Sequence, residues 1–201
     1  MYYYVLLFFI HQTHVQVSTT NFVSLSLSLS MYVHILWYDK LFFLLADLKA
    51  DQFVKTQDGI YKLNDFNNGQ FMYWNTTSNT ETCPFSHSLP MMISDPNKFA
   101  SPEEYTNHNQ NELIDTYSMG NIFYSILTDR CVFSKVGRED AVELVKQGMK
   151  PRLGKKLRYS DDPVDKAFIK AMSMCFVYDW RERFSSTEIR DFLLGVYETM
   201  R

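Results

Sequence analysis

The feature that most constrains this chain is a short hairpin pattern with an acid at each end. Two β-prone runs, Phe53-Val54-Lys55 and Ile60-Tyr61-Lys62-Leu63, are joined by a turn that contains Asp-Gly, which is a strong short-range hairpin signal. Asp47 precedes the first run and Asp65 follows the second. Because a hairpin brings its two ends together, we expect both carboxylates at the same end of the ribbon. With Lys49 nearby, two converging carboxylates suit the binding of a metal-bound phosphate.

Composition excludes several broad classes of protein. The chain has 201 residues, 46% of them apolar and 21% charged, which is typical of one globular domain with its own core. The net charge is −3, and the sequence is interpreted as having Lys and Arg scattered rather than clustered, so neither nucleic acid nor an anionic membrane is indicated as a partner.

The cysteines predict a reducing compartment. Cys83, Cys131 and Cys175 are far apart and odd in number, which argues against a disulfide framework and favours a cytoplasmic location. Cys83 and His87 lack a second Cys/His pair that would complete four zinc ligands, so we interpret them as ordinary loop residues.

Helical periodicity begins at Leu113. Apolar residues recur there at spacings of three and four, which predicts a helix with one buried face: Met119, Ile122, Phe123, Ile126 and Leu127. Three further helices are predicted by their end signals. These are a helix from Arg138 to Gln147 closed by Gly148, one capped by Asp162 that buries Cys175, and one opened by the capping box Ser185-x-x-Glu188.

Several short motifs together resemble the eukaryotic protein kinases. Asp47-Leu-Lys-x-x-Gln52, followed 18 positions later by Asp65-Phe-Asn67, resembles the catalytic loop and the metal-binding turn of that family. Three further similarities follow in the family's order, and together the motifs cover residues 46 to about 195. Ser101-Pro-Glu103 resembles Ala-Pro-Glu, and Asp115-Thr-Tyr-Ser-Met-Gly120 resembles Asp-x-Tyr-Ser-x-Gly. Near the C-terminal end, Asp179-Trp-Arg-Glu-Arg183-Phe-Ser-Ser resembles Asp-Pro-x-x-Arg-Pro-Ser.

The resemblance implies an α+β fold that is mostly α. Residues 46–201 would form a partial kinase domain, the C-terminal lobe with a short β-hairpin at the site, and residues 65–103 would be its activation segment. Upstream of residue 46 there is no Gly-x-Gly-x-x-Gly loop, no Val-Ala-x-Lys strand and no partner glutamate, so we expect the N-terminal lobe to be absent.

Residues 1–45 differ from the rest in composition. Met1 to Ile10 is apolar but too short to span a bilayer, and residues 24–30 alternate Ser and Leu. Two interpretations stay open. Ile35 to Leu45 would form the helix that leads into the catalytic loop in kinases, or residues 1–45 are not genuine coding sequence.

The resemblance also implies roles for individual residues. Asp47 matches the acid that orients the substrate hydroxyl and accepts its proton, and Lys49 matches the lysine typical of serine/threonine kinases. Asp65 matches the acid that holds Mg²⁺, and Gln52 stands where an asparagine binds the second metal. Without the family, Asp47 and Asp65 are ordinary turn acids.

Three further residues have implied structural roles. Glu103 and Arg183 match a buried ion pair that anchors the activation segment. Asp115 matches a helix acid that accepts backbone N–H groups of the catalytic loop, and its alternative role is a plain helix N-cap.

Four departures from the family pattern affect the predicted activity. Leu45 and Ala46 replace His and Arg, which removes the arginine that reads an activation-loop phosphate. Gln52 is one methylene longer than Asn, which should weaken Mg²⁺ binding, and Asn67 replaces a glycine, which is milder because Asn tolerates left-handed backbone. The missing nucleotide-covering lobe predicts poor ATP binding and negligible phosphoryl transfer by the chain alone.

The expected parent activity is ATP- and Mg²⁺-dependent phosphoryl transfer to serine or threonine hydroxyls of a protein substrate. Its alternatives are a pseudokinase that binds a protein partner and a fragment with no stable role.

Overall fold

The computed structural model describes most of the chain from residue 41 onward. The described residues are 41–55, 57, 61–64, 66, 69–75, 80–82, 100–106 and 110–200. They form an α+β structure that is mostly helical. The strands are β1 (Leu41–Leu44), β2 (Phe53–Lys55), β3 (Tyr61–Leu63), β4 (Gln70–Asn75) and β5 (Thr80–Thr82). The helices are α1 (Pro102–Thr106), α2 (Leu113–Thr128), α3 (Arg138–Lys146), α4 (Lys155–Arg158), α5 (Pro163–Cys175) and α6 (Ser186–Met200).

The predicted hairpin is present. Strands β2 and β3 pair antiparallel with Phe53 opposite Leu63 and Lys55 opposite Tyr61. Leu63 is buried in the main core, so the hairpin is fixed to the helical part of the molecule. The Asp-Gly residues of the turn lie outside the described residues.

The structure also contains a three-stranded sheet that was not predicted from the sequence. Its strand order is β1-β4-β5, with both pairings antiparallel. The prediction of a helix up to Leu45 is wrong for residues 41–44, which form β1, and residues 65–103, predicted as an activation segment, contain β4 and β5. Both β1 and β4 are rich in aromatic residues that favour strands, and their pairing partner is distant in sequence, so local periodicity alone did not reveal it.

The sheet is joined to the helices by a small apolar cluster. Leu44, Ala46, Met72 and Ile114 are all buried and contact one another. Residues 41–45 therefore belong structurally with the residues that follow them, although the sequence analysis placed a boundary after residue 45.

Helix α2 is the centre of the helical core. It packs mainly on α5, which in turn contacts α6. Two edge-to-face aromatic pairs lie in this core, Phe123 with Phe168 at 5.5 Å between ring centroids and Tyr117 with Phe176 at 5.0 Å. The helix is buried on most of its sides, not on one face as predicted, because the small cluster covers its start and α5 covers its middle.

Gly120 permits the close packing of α2 on α5. A Cβ built at Gly120 would lie 2.7 Å from Cβ of Cys175 and 2.9 Å from Cε1 of Phe176, so no larger residue fits without movement. Cys175 is buried as predicted, and burial raises the pKa of its thiol, which keeps it protonated and unreactive.

The predicted helix ends are confirmed. Asp162 Oδ1 accepts a hydrogen bond from Val164 N at 2.7 Å, and Ser185 and Glu188 form a reciprocal capping box. Gly148 has a φ of 73° and closes α3, with Met149 N donating to Leu144 O. In the part of the chain that the structure describes, no helix has the length and apolar character needed to cross a membrane.

Candidate functional site

The structure brings Asp47 and Lys49 together. Lys49 Nζ lies 2.9 Å from Asp47 Oδ2, and the two side chains are 16% and 30% exposed. Both residues lie on the short loop between β1 and β2. Because the Asp47 side chain is partly exposed, an incoming polar group can reach its carboxylate.

Asp115 holds the backbone immediately before Asp47. Its Oδ2 accepts a hydrogen bond from Leu45 N at 2.7 Å, and its Oδ1 accepts one from Ala46 N at 2.9 Å. Asp115 is buried in the first turn of α2, so the loop is tied directly to the central helix. The contact implied by the kinase resemblance is therefore present, and Asp115 does more than cap its own helix.

Ala46 has an unusual backbone conformation. Its φ is 60°, in the left-handed region, which costs an L-residue with a Cβ about 1–2 kcal/mol. Burial of Ala46 and the hydrogen bond to Asp115 stabilise this conformation. The left-handed turn sets the direction in which the chain enters Asp47, and no feature of the local sequence signals it.

Gln52 closes the other end of the loop. Its Oε1 accepts a hydrogen bond from Lys49 N at 2.9 Å, and its backbone O accepts one from Asn64 N at 2.8 Å. The first bond stabilises the one-turn 3₁₀ helix Ala50–Gln52, and the second joins the loop to the chain that leaves β3. Gln52 is a buried polar residue whose amide oxygen is engaged by the loop itself.

The chain after β3 is described only in part. Asp65 and Asn67 lie outside the described residues, so the predicted convergence of Asp47 and Asp65 stays a prediction. Phe66, between them in sequence, packs against the main core.

The loop offers oxygen atoms, which are the type of ligand that Mg²⁺ prefers. A protein site for Mg²⁺ commonly supplies one or two carboxylates, with substrate phosphates and water completing the octahedron. The amide oxygen of Gln52 has two lone pairs, of which the bond from Lys49 N uses one. Among the described residues there is no cluster of three His, Cys, Asp or Glu side chains that forms a metal site by itself.

Glu103 and Arg183 form the buried ion pair that the resemblance implies. Arg183 Nη2 lies 2.8 Å from Glu103 Oε1 and Nη1 lies 3.2 Å from Oε2, a bidentate arrangement with side chains 0% and 6% exposed. The three other N–H groups of Arg183 donate to the carbonyl oxygens of Leu113, Val177 and Tyr178. All five guanidinium donors are thus satisfied, and the ring of Tyr117 lies 5.1 Å away.

A capping box at the start of α1 was missed in the sequence analysis. Ser101 N donates to Glu104 Oε2, and Glu104 N donates to Ser101 Oγ. The spacing Ser-x-x-Glu with Pro102 at the first helical position was a readable signal. The pKa of Glu104 is raised to about 8, mainly by burial; the hydrogen bonds with Ser101 lower this pKa, and the nearby charges of Asp115 and Glu103 raise it by smaller amounts.

No protein-family model matches this chain, and no curated protein matches it in sequence. The resemblance to protein kinases therefore depends on the motifs and on the contacts described above.

Proposed function

We propose that this chain is a protein-kinase-like C-terminal lobe whose loop from Leu45 to Gln52 has the parts for ATP-dependent phosphoryl transfer to serine or threonine hydroxyls of a protein, with little transfer expected from the chain alone. One observation carries the proposal. The buried carboxylate of Asp115 fixes two successive backbone amides directly before the partly exposed Asp47–Lys49 pair.

This arrangement supports a positioning role for the loop. Phosphoryl transfer asks the protein mainly to hold the reactants in line and to stabilise charge. The hydrogen bonds from Leu45 and Ala46 keep the backbone of the loop in one conformation, so that the carboxylate of Asp47 has a defined place. In the proposed role, that carboxylate accepts a hydrogen bond, and then the proton, from the hydroxyl of the acceptor residue.

Lys49 has a complementary part in the proposal. Its ammonium group lies 2.9 Å from Asp47 Oδ2, so it presents positive charge beside that carboxylate. A phosphate that approaches Asp47 would meet this charge. Bound Mg²⁺·ATP would supply the phosphoryl group, and Asp65 and Gln52 are the residues proposed to hold the metal.

A second candidate function is a binding module without catalysis. The observation that favours it is the hydrogen bond from Lys49 N to Gln52 Oε1, which uses the amide for the loop itself. In this alternative, the loop and the helices around it are retained as a stable surface for a protein partner.

Thermal unfolding in the presence of nucleotide separates the two functions. The phosphotransfer proposal predicts that ATP with Mg²⁺ raises the Tm of the full chain by about 3 to 5 °C at roughly tenfold above Kd. Chelation of Mg²⁺ and the variant Asp65→Asn should each remove the increase, whereas Asp129→Asn, a change in an exposed acid after α2, should leave it intact.

A cooperatively unfolding chain whose Tm does not respond to ATP and Mg²⁺ would contradict phosphotransfer and favour the binding module. Aggregation of the chain on expression would contradict both functions.

A further inference from the structure

A strip of positive charge lies on the segment that joins α3 to α5. Lys150, Arg152, Lys155, Lys156 and Arg158, here called the basic strip, fall within nine residues that contain no acid, and all five are exposed. Basic residues are therefore clustered in this segment, contrary to the prediction that they are scattered along the whole chain.

The backbone beneath the basic strip is anchored. Leu153 and Leu157 pack against the main core and Pro151 is buried. The hydroxyl of Tyr124 on α2 donates to the backbone O of Arg152 at 3.3 Å, and Arg158 Nη2 donates to Leu153 O at 3.1 Å. The charged side chains therefore extend from a fixed base, which lowers the conformational entropy that binding would cost.

Nearby acids do not neutralise the basic strip. Directly downstream, Asp161 pairs with Lys166 at 3.1 Å, Asp162 caps α5, and Asp165 accepts a hydrogen bond from Ser160 at 2.6 Å. Within the described part of the chain, none of the five basic side chains forms an ion pair. Five exposed positive charges are thus left for a ligand of opposite charge.

We infer that the basic strip is a docking surface for an acidic peptide segment of a partner protein, a segment with clustered Asp and Glu residues. The strip is short, and the chain as a whole carries a net charge of −3, which repels a long polyanion such as nucleic acid but leaves local attraction for a short acidic segment. Tyr159, 75% exposed at the end of the strip, offers an aromatic surface and a hydroxyl beside the charges.

Fluorescence anisotropy with a labelled peptide tests this inference. The probe is a peptide of six glutamates framed by Gly and Ser, and its control has glutamine at the same six positions. The full chain should bind the glutamate peptide at about 50 mM salt, bind the glutamine peptide at least about tenfold more weakly, and lose most of its affinity at about 0.5 M salt, where screening is strong.

Variants then locate the binding surface. Lys155→Glu with Lys156→Glu should weaken binding at least about tenfold, and the milder pair Lys155→Gln with Lys156→Gln should weaken it several-fold. The matched control, Arg130→Glu with Lys135→Glu, reverses two exposed charges outside the basic strip and should stay within about twofold of the parent chain.

Three results would overturn the inference: no binding of the glutamate peptide by the folded chain, an equal loss in the control pair, or tighter binding of an oligothymidylate or of anionic lipid vesicles than of the peptide.

Discussion

Buried charge has different partners in the loop that carries Asp47 and in the Glu103–Arg183 ion pair, here called the anchor. In the loop, the buried acid Asp115 accepts hydrogen bonds from two backbone amides, and the acid proposed for chemistry, Asp47, is a separate and partly exposed residue. In the anchor, Glu103 and Arg183 are both buried and satisfy one another, with backbone carbonyls completing the set. The anchor holds the fold, whereas the loop holds an acid in place and leaves it partly exposed.

The anchor should show the largest loss on substitution. Arg183→Ala leaves Glu103 as a buried charge and three carbonyls without their donor, and we expect the free energy of unfolding to fall by about 3–5 kcal/mol. Urea denaturation measures it. Arg181→Ala, which removes an exposed pair with Asp179, is the control and should change stability by less than about 1 kcal/mol. Equal stability of the parent chain and Arg183→Ala would contradict the structural role of the anchor.

Glu104 should make the stability of the chain depend on pH. Its pKa in the folded protein is about 8, above its ordinary value of 4.5, so the folded state binds the proton more tightly. The stability that this proton contributes to the folded state is complete below pH 4.5 and is lost as the pH rises through 8. We expect the parent chain to lose about 2 kcal/mol of stability between pH 6 and pH 8 relative to Glu104→Gln. Parallel stability curves for the two proteins would contradict the raised pKa.

The contact between α2 and α5 can be tested without changing any charge. Gly120→Ala places a methyl group 2.7 Å from Cys175 Cβ and should cost about 1–2 kcal/mol through overpacking. Gly195→Ala is the matched control, because a Cβ at Gly195 in α6 meets nothing within 4 Å and should stabilise the helix by up to about 1 kcal/mol. If both variants change Tm in the same direction, the helix packing described here is wrong.

Local signals predicted the helical part of the chain well. The ends of α3, α5 and α6 follow from Gly148, Asp162 and the Ser185–Glu188 box, because capping is decided by residues within one turn of each other. The hairpin was predictable for the same reason, since β2 and β3 are adjacent in sequence.

The second sheet and the loop geometry were not predictable in this way. β1 pairs with β4, which lies about 30 positions later in the chain. A short apolar run such as β1 fits a helix or a strand equally well until its pairing partner is known. The left-handed turn at Ala46 depends on Asp115, 69 positions later in the chain. Long-range contacts of this kind were predicted only from the kinase resemblance, which implied both the Asp115 contact and the Glu103–Arg183 pair.

Amide hydrogen exchange in Asp115→Asn tests most directly whether Asp115 fixes the loop before Asp47. Asparagine has one acceptor oxygen, so one of the two amides of Leu45 and Ala46 loses its partner and faces the NH₂ group. We expect these two amides to exchange at least about tenfold faster than in the parent chain, while amides in the core of α5 change little. Asp179→Asn, which alters an exposed acid at a 3₁₀ turn, should leave both loop amides unchanged. Unaltered exchange at Leu45 and Ala46 in Asp115→Asn would show that the loop is held by something else.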